Sequence, residues 1–214
     1  MEKVKVFNAN LRELGIEDRD KVHKEGLWHK TFHCWLVSDV NGGSLLFQLR
    51  SKEKKNYPNM LDISAAGHLI DDEDDADGIR EVKEELGLDI QYENLHSLGY
   101  RVEVDDAENG QKNREYQSIY LAKIDNNLSQ FKPQIDEVSG LVWLKIADAL
   151  LLFDGKQSSA IVEGIFYNKG TSNWEAINRS ISISDFIPRI QKYYLAISIM
   201  ADRLLKKQFP LAIS

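Results

Sequence analysis

Three glutamates, Glu81, Glu84 and Glu85, follow an arginine, Arg80, in the run GHLIDDEDDADGIREVKEELGL that begins at Gly67. An α-helix turns about 100° per residue, so the three carboxylates fall within an arc of about 100°. Ile79, Val82 and Leu86 gather on a separate arc. One stripe of such a helix can pack on a sheet while the carboxylates project together into one site. Like charges at these spacings repel by about 0.2–0.5 kcal/mol per pair, and cations would relieve that repulsion. Hard carboxylate oxygens suit Mg²⁺ or Mn²⁺, which can bridge to the phosphates of a substrate. A solvated, charge-dense helix face is the plain alternative, and the surrounding residues decide between the two.

The elements that must hold this helix read as a mixture of strands and helices. Val4 to Phe7 predicts a short strand and Asp18 to Lys24 a short helix ending near Gly26. Thr31 to Val37 is rich in aromatic and β-branched residues, Asn41-Gly42-Gly43 is a hairpin signal, and Ser44 to Arg50 returns as a second strand. Ser51 to Asn59 is a basic loop, and Ile63 to Ile70 predicts another strand. Asp74 to Leu86 is the acidic helix, with Gly87 as its stop signal. Paired strands follow at Ser97–Val104 and Glu115–Lys123 around a polar connection containing Asn109-Gly110, then a strand at Val138–Ile146 and a helix at Ala147–Phe153. The remainder predicts helices at Ser158–Tyr167 and Asp185–Lys206. This order implies an α+β fold, an α/β/α sandwich with a mixed sheet, over residues 1–153, with residues 154–214 as a helical extension packed on it.

Composition narrows the function classes. A net charge of −7 argues against a general binder of nucleic-acid polymers, because backbone phosphates demand an excess of Lys and Arg. It leaves room for small phosphorylated ligands, which metal ions can bridge to an acidic site. No apolar run approaches the ~18 residues of a membrane span, and the first residues lack the apolar stretch of a secretory signal. The single cysteine, Cys34, forms no internal disulfide and fits a reducing compartment. The expectation is a cytoplasmic protein.

The acidic stretch resembles the Nudix box, G-x5-E-x7-R-E-U-x-E-E-x-G-U, where U is a bulky aliphatic residue. Gly67, Glu73, Arg80, Glu81, Val82, Glu84, Glu85, Gly87 and Leu88 supply every named residue type. The departure is one position: six residues separate Glu73 from Arg80, and counting back from Arg80 puts Asp72 in the glutamate's place. The resemblance implies the Nudix α/β/α sandwich and a hydrolase that cleaves a diphosphate linkage in a small molecule with Mg²⁺ or Mn²⁺. It assigns metal binding to Glu81, Glu84 and Glu85, one of them acting as base, and gives Arg80 the task of orienting a glutamate. A competing pattern, Glu73-x-Asp75-x-Asp77-Gly78-x5-Glu84, nearly satisfies an EF-hand loop. It has Glu at its first position, follows an expected strand rather than a helix, and leaves Arg80, Glu81 and Glu85 unexplained.

Upstream, Val22, His23, Glu25, Gly26 and His29 resemble the V-H-x-E-G-x-x-H entry of the isopentenyl-diphosphate isomerase-like branch of that superfamily. Arg50, Lys54, Lys55 and Pro58 resemble its R-x3-K-K-x2-P loop, which implies contact with a diphosphate. In true isomerases histidines, a helix glutamate and a late glutamate hold a metal, and a cysteine shares the proton handling with that late glutamate. His23, His29 and His68 fall at matching positions and Glu115 at the late glutamate, while its partner two residues earlier is Asn113. The cysteine position is Ala66, and alanine transfers no proton.

The reading is therefore a hydrolase on an isomerase-like frame, with Arg80, Glu81, Glu84 and Glu115 as catalytic candidates and Arg50, Lys54 and Lys55 binding the diphosphate. An isomerase with an unusual proton donor and a silent nucleotide-sensing module are the alternatives. His33 and His96 read as structural, and Trp28, Trp35 and Trp143 as core residues. Trp174 falls in the extension, where it would serve a substrate pocket or a dimer contact. The apolar run Ile187–Ile199 packs on the core or forms a homodimer interface.

Overall fold

The computed structural model describes residues 2–106, 110–125, 127–189 and 191–213. Asn109 of the expected turn lies outside them. Strands β1 (Lys3–Phe7) and β2 (Glu13–Asp18) form a hairpin leading into helix α1 (Arg19–Glu25). The long strand β3 (Trp28–Ser38) returns antiparallel as β4 (Ser44–Arg50) through the expected glycine turn. Two short strands, β5 (Leu61–Asp62) and β6 (Ala65–His68), precede helix α2 (Arg80–Leu86). Strands β7 (His96–Asp106) and β8 (Lys112–Lys123) pair antiparallel, and β9 (Val138–Lys145) runs into helix α3 (Ile146–Phe153). A last hairpin, β10 (Ala160–Asn168) and β11 (Asn173–Ile181), leads to helix α4 (Tyr193–Leu205).

Strand β3 is the hub of this mixed sheet. It pairs parallel with β8 from His29↔Glu115 to Val37↔Lys123, and antiparallel with β1, β6 and β4 at successive points along its length. Because side chains alternate across a strand, Phe32, Cys34 and Leu36 face one way, into a core shared with Val82 and Leu86 of α2. Trp35 and Val37 face the other way, into a core closed by α3 and by Tyr194, Ile197 and Ala201 of α4. Helices thus cover both faces, which is the expected α/β/α sandwich.

The C-terminal region corrects the sequence reading. The stretch 158–167, expected as a helix, instead holds most of β10 (Ala160–Asn168), which pairs with β9 and continues the sheet outward to β11. Ala160 and Val162 are buried while Ile161 and Glu163 are exposed, a period-two pattern carried by β-branched and aromatic residues. The expected helical extension is therefore a sheet hairpin followed by one helix. That helix begins at Tyr193 rather than Asp185, because Pro188 lies in the intervening stretch. Asp185 instead closes a capping box with Ser182 around a single 3₁₀ turn. Tyr193, Tyr194 and Ile197 are buried in this chain's own core. No helix among the described residues is long and apolar enough to cross a membrane.

Candidate active site

The helix expected over Asp74–Leu86 is shorter, because Asp77–Ile79 forms a 3₁₀ turn ahead of α2, and its end is fixed by Gly87 at φ 66°. Val82 and Leu86 bury completely against the sheet, which turns Glu81, Glu84 and Glu85 toward a cavity of about 780 Å³. Gly67 explains how β6 and α2 come so close. A Cβ there would stand 2.0 Å from Cδ of Glu81, so only a residue without a side chain leaves that carboxylate where it stands.

The three glutamates occupy different environments. Glu84 is half exposed, whereas Glu81 is mostly covered and Glu85 is buried. Glu85 Oε2 accepts from Gln48 Nε2 at 3.1 Å and from the Ala66 backbone N–H at 3.0 Å. Burial pushes the Glu85 carboxyl up to about 7, and the Ala66 N–H works against that shift. Burial likewise lifts Glu81 to about 7, with Arg80 opposing it and the charge of Glu84 adding to it. Two neighbouring carboxyls held near neutrality by desolvation are groups for which a bound cation would replace the missing water.

Arg80 organises the cluster. Its Nη1 donates to Glu81 Oε1 at 2.8 Å and to Glu84 Oε2 at 3.0 Å, and Nη2 donates to the His68 carbonyl at 3.0 Å. The remaining contacts go to Glu73: Nη2 reaches Oε2 at 2.8 Å, and Nε bonds Oε1. The one-residue shortening before Arg80 is thus absorbed in the loop, and Glu73 rather than the exposed Asp72 receives the arginine. Burial opposes ionisation of Glu73, yet Arg80 and the Ile70 N–H hold its carboxyl below the usual range. The EF-hand pattern is not realised, since Glu73 belongs to Arg80 and Asp75 to Lys30 at 3.1 Å, so these oxygens do not converge on one ion.

Across Gly67 a second cluster adjoins the first. His23, His29 and His68 each present a ring nitrogen, all within 4.8 Å of one another. His29 Nδ1 donates to the Leu27 carbonyl at 3.0 Å, and its buried Nε2 has no hydrogen-bond partner among the described residues. His23 bonds Asn113 Oδ1 through Nδ1 and meets His68 Nε2 through Nε2, each at 3.0 Å. Burial lowers the pKa of both His23 and His68. Glu115 Oε1 stands 3.9 Å from His29 Nε2, and its Oε2 accepts from Gln117.

The basic loop lines the cavity opposite α2. Arg50 is committed within the protein, to Asp62 at 3.3 Å and to the Asn56 carbonyl at 3.0 Å, so it shapes the loop that carries the lysines. Lys54 pairs with Glu137, and burial lowers its pKa, partly offset by Glu85. Lys55 is exposed at the cavity rim. The isomerase cysteine has no counterpart here. Ala66 lies beside Glu85, while Cys34 is fully buried on the α2 side of β3, its thiol pushed up to about 12 by burial.

A NUDIX domain profile matches residues 27–163 of the chain. The chain belongs to the Nudix family. It is 34% identical over 191 residues to an uncharacterised Nudix hydrolase of Clostridium acetobutylicum, a match spanning 88% of this chain and 91% of that protein. An isopentenyl-diphosphate Δ-isomerase of Paenarthrobacter aurescens is 33% identical over 126 residues, 57% of this chain and 65% of the isomerase. A Deinococcus radiodurans crystal structure shares the fold at 18% identity and a TM-score of 0.54, over 73% of this chain and 91% of that one. The protein is accordingly a Nudix hydrolase, an enzyme acting on diphosphate bonds.

Within this Nudix fold, Arg80, Glu81, Glu84, Glu85, Glu115, Arg50, Lys54 and Lys55 all border one cavity. Four further residues at the site escaped the sequence reading. Gln48 supports Glu85, and Asp62, Glu103 and Arg189 form the cavity's inner wall. The alternation of Glu103 with Val102 and Val104 gave no signal for it, since that pattern points the charged residue outward. His33, read as structural, also borders the cavity, with Nδ1 at 3.1 Å from the Tyr193 hydroxyl.

Proposed function

We propose that this Nudix hydrolase cleaves a diphosphate linkage in a small molecule, of the nucleoside diphosphate-X type or a related diphosphate, by water attack at phosphorus with Mg²⁺ or Mn²⁺. The observation that carries this reading is the α2 carboxylate cluster at the cavity, with Glu85 buried, Glu81 mostly covered and Glu84 half exposed, and with Arg80 bonded to Glu81 and Glu84. An all-carboxylate donor set fits a hard divalent ion, and Glu81, Glu84 and Glu85 would hold it. Such an ion polarises phosphoryl oxygens, offsets charge on the leaving group and acidifies the attacking water.

The protein's own groups divide the remaining work. Arg80 positions Glu81 and Glu84 through its two Nη1 contacts, and Gln48 with the Ala66 N–H fixes Glu85. Lys54 and Lys55 place positive charge where the diphosphate enters, on a loop that Arg50 holds in shape. One of the α2 glutamates takes the proton from water, and Glu81, facing the space opposite Gly67, is placed for it. As the new P–O bond forms, the anhydride P–O bond breaks and leaves two phosphorylated products, or phosphate and a monophosphate. The orphaned Nε2 of His29 favours a second cation place formed by His23, His29 and His68, with Glu115 beside it. The isomerase reading lacks support at its proton donor, because Ala66 carries no acid and Cys34 faces the opposite core.

The test is a mixed panel of nucleotide sugars, dinucleotides, flavin and CoA cofactors and isopentenyl diphosphate, incubated with Mg²⁺ and read by mass spectrometry beside Glu85→Gln. Cleavage that drops by about two to three orders of magnitude in the variant is expected from the loss of an ion-holding carboxylate. Isomer interconversion without cleavage would move the assignment to the isomerase, and saturable binding without turnover would move it to a sensing module.

A further inference from the structure

Strand β7 is inside out. Its outward residues Tyr100, Val102 and Val104 are apolar and about 40% exposed, while its inward residues Arg101 and Glu103 are charged and buried. Burying a charged pair stabilises a fold less than apolar residues of similar volume would. A local rule broken in this way marks a position selected for something other than stability.

The buried charges converge on a segment from the C-terminal region. Arg189 Nη2 donates to Asp62 Oδ1 at 2.9 Å, and its Nη1 lies 3.5 Å from Glu103 Oε2, the oxygen that also pairs with Arg101. The group is not closed on itself. Nε of Arg189, and Nε and Nη2 of Arg101, are buried without partners among the described residues. Arg189, Glu103 and Asp62 border the same cavity as the glutamates of α2, and Asp62 and Gln48, the residue that holds Glu85, are cross-strand partners. His33 completes this wall. The Tyr193 hydroxyl accepts from Trp35 Nε1 at 2.9 Å and stands 3.1 Å from His33 Nδ1, which fixes the imidazole in place at the cavity.

We propose that Arg189, Glu103 and His33 bind a hydroxylated, sugar-like group attached to the diphosphate, and that Arg189 sets substrate specificity from outside the segment matched by the family profile. The proposal rests on the diphosphate-cleaving reading above and names the substrate class within it. Three ligand chemistries compete for this wall. An apolar tail would strip water from charged groups without replacing any hydrogen bond. A second anion would face the carboxylates of Glu103 and Asp62. Hydroxyls both donate and accept, and they alone match a wall where a guanidinium donor, an imidazole nitrogen and carboxylate acceptors stand together.

The experiment compares kcat/KM for three diphosphates: an ADP-sugar, a prenyl diphosphate and a diphosphate bearing an additional phosphate. The ADP-sugar is expected to lead by about 100-fold or more, since a site built to bond hydroxyls discriminates strongly against ligands lacking them. Glu103→Gln and Arg189→Gln should shrink that ratio by about 10- to 100-fold, chiefly through KM. His33→Gln, which disturbs no ion pair, should shrink it as well if either charge variant unfolds. A prenyl or triply charged substrate in the lead, or a ratio untouched by any folded variant, overturns the proposal while diphosphate cleavage stands. If nothing is cleaved, the diphosphate reading fails separately, and titration with ribose 5-phosphate against an alkyl monophosphate still decides: weaker or equal binding of the ribose compound overturns the hydroxyl site.

Discussion

Arg80 and Glu73 are joined by two parallel contacts, with Nη2 at 2.8 Å from Oε2 and Nε bonded to Oε1. The pair forms although the chain between them is one residue shorter than the family pattern. The same guanidinium reaches Glu81 and Glu84, so Glu73 bears on those two glutamates through Arg80.

Glu73→Gln should therefore lower turnover by about 10- to 100-fold, the usual effect of removing a group that orients ion-holding residues. Asp72→Asn should leave it within about twofold, as surface substitutions do. Steady-state kinetics on both variants measure this. Equal effects would return Asp72 to consideration.

The raised carboxyls make the stability of the ion-free protein depend on pH. A Glu whose carboxyl titrates near 7 in the fold, against 4.5 as its ordinary value, holds its proton more tightly folded than unfolded. Its contribution to stability is complete at pH below 4.5 and is lost as pH rises toward 7. The melting temperature with EDTA should fall between pH 5 and 8, and fall less in Glu85→Gln. Mg²⁺ should raise it more at pH 8 than at pH 5, because only ionised carboxylates bind the ion. A Mg²⁺ effect independent of pH would speak against ion binding at these glutamates.

Gly67→Ala separates activity from folding. The added Cβ meets first the far end of the Glu81 side chain, and Gly67 has no left-handed φ. The fold can yield by moving that carboxylate. Thermal stability should change little, whereas turnover should fall by about 100-fold, the scale of a 1 Å misplacement at a reacting centre. Circular dichroism melts beside the kinetics measure both.

His68→Gln addresses the imidazole cluster. Loss of one of three ring nitrogens within 4.8 Å should remove one bound Mn²⁺ per chain, counted by elemental analysis after dialysis. Glu85→Gln should leave that particular ion in place. An unchanged count in His68→Gln would make the histidines a hydrogen-bonded structural group.

How much of this was legible in the sequence follows from the range of the interactions involved. The α2 cluster was readable because its geometry is set by helical periodicity between Arg80 and Glu85, and Gly87 marks its end. The basic loop was readable as a set, but not the withdrawal of Arg50 to Asp62 and Asn56. The stretch 158–167 misled because dense apolar content hid its alternation, which only pairing with β9 reveals. In β7 the alternation was visible but its polarity was inverted, so pattern alone would send Val102 and Val104 inward. Arg189 could not be foreseen, since the chain region that delivers it meets Asp62 only through the tertiary fold.

The central position of β3 also constrains how the molecule comes into being. Its parallel neighbour β8, and the β9 strand that flanks β4, are both encoded far downstream. Such distant pairings close slowly, because the loops between them must be ordered first. During synthesis α2 will have left the ribosome long before the strands that anchor its sheet. The nascent chain therefore carries its carboxylates without a cavity until β8, β9 and finally the Arg189 segment have emerged. Hydrolytic competence arrives late and nearly at once, so a chain truncated before residue 189 should accumulate as an inactive, aggregation-prone intermediate rather than as a weaker enzyme.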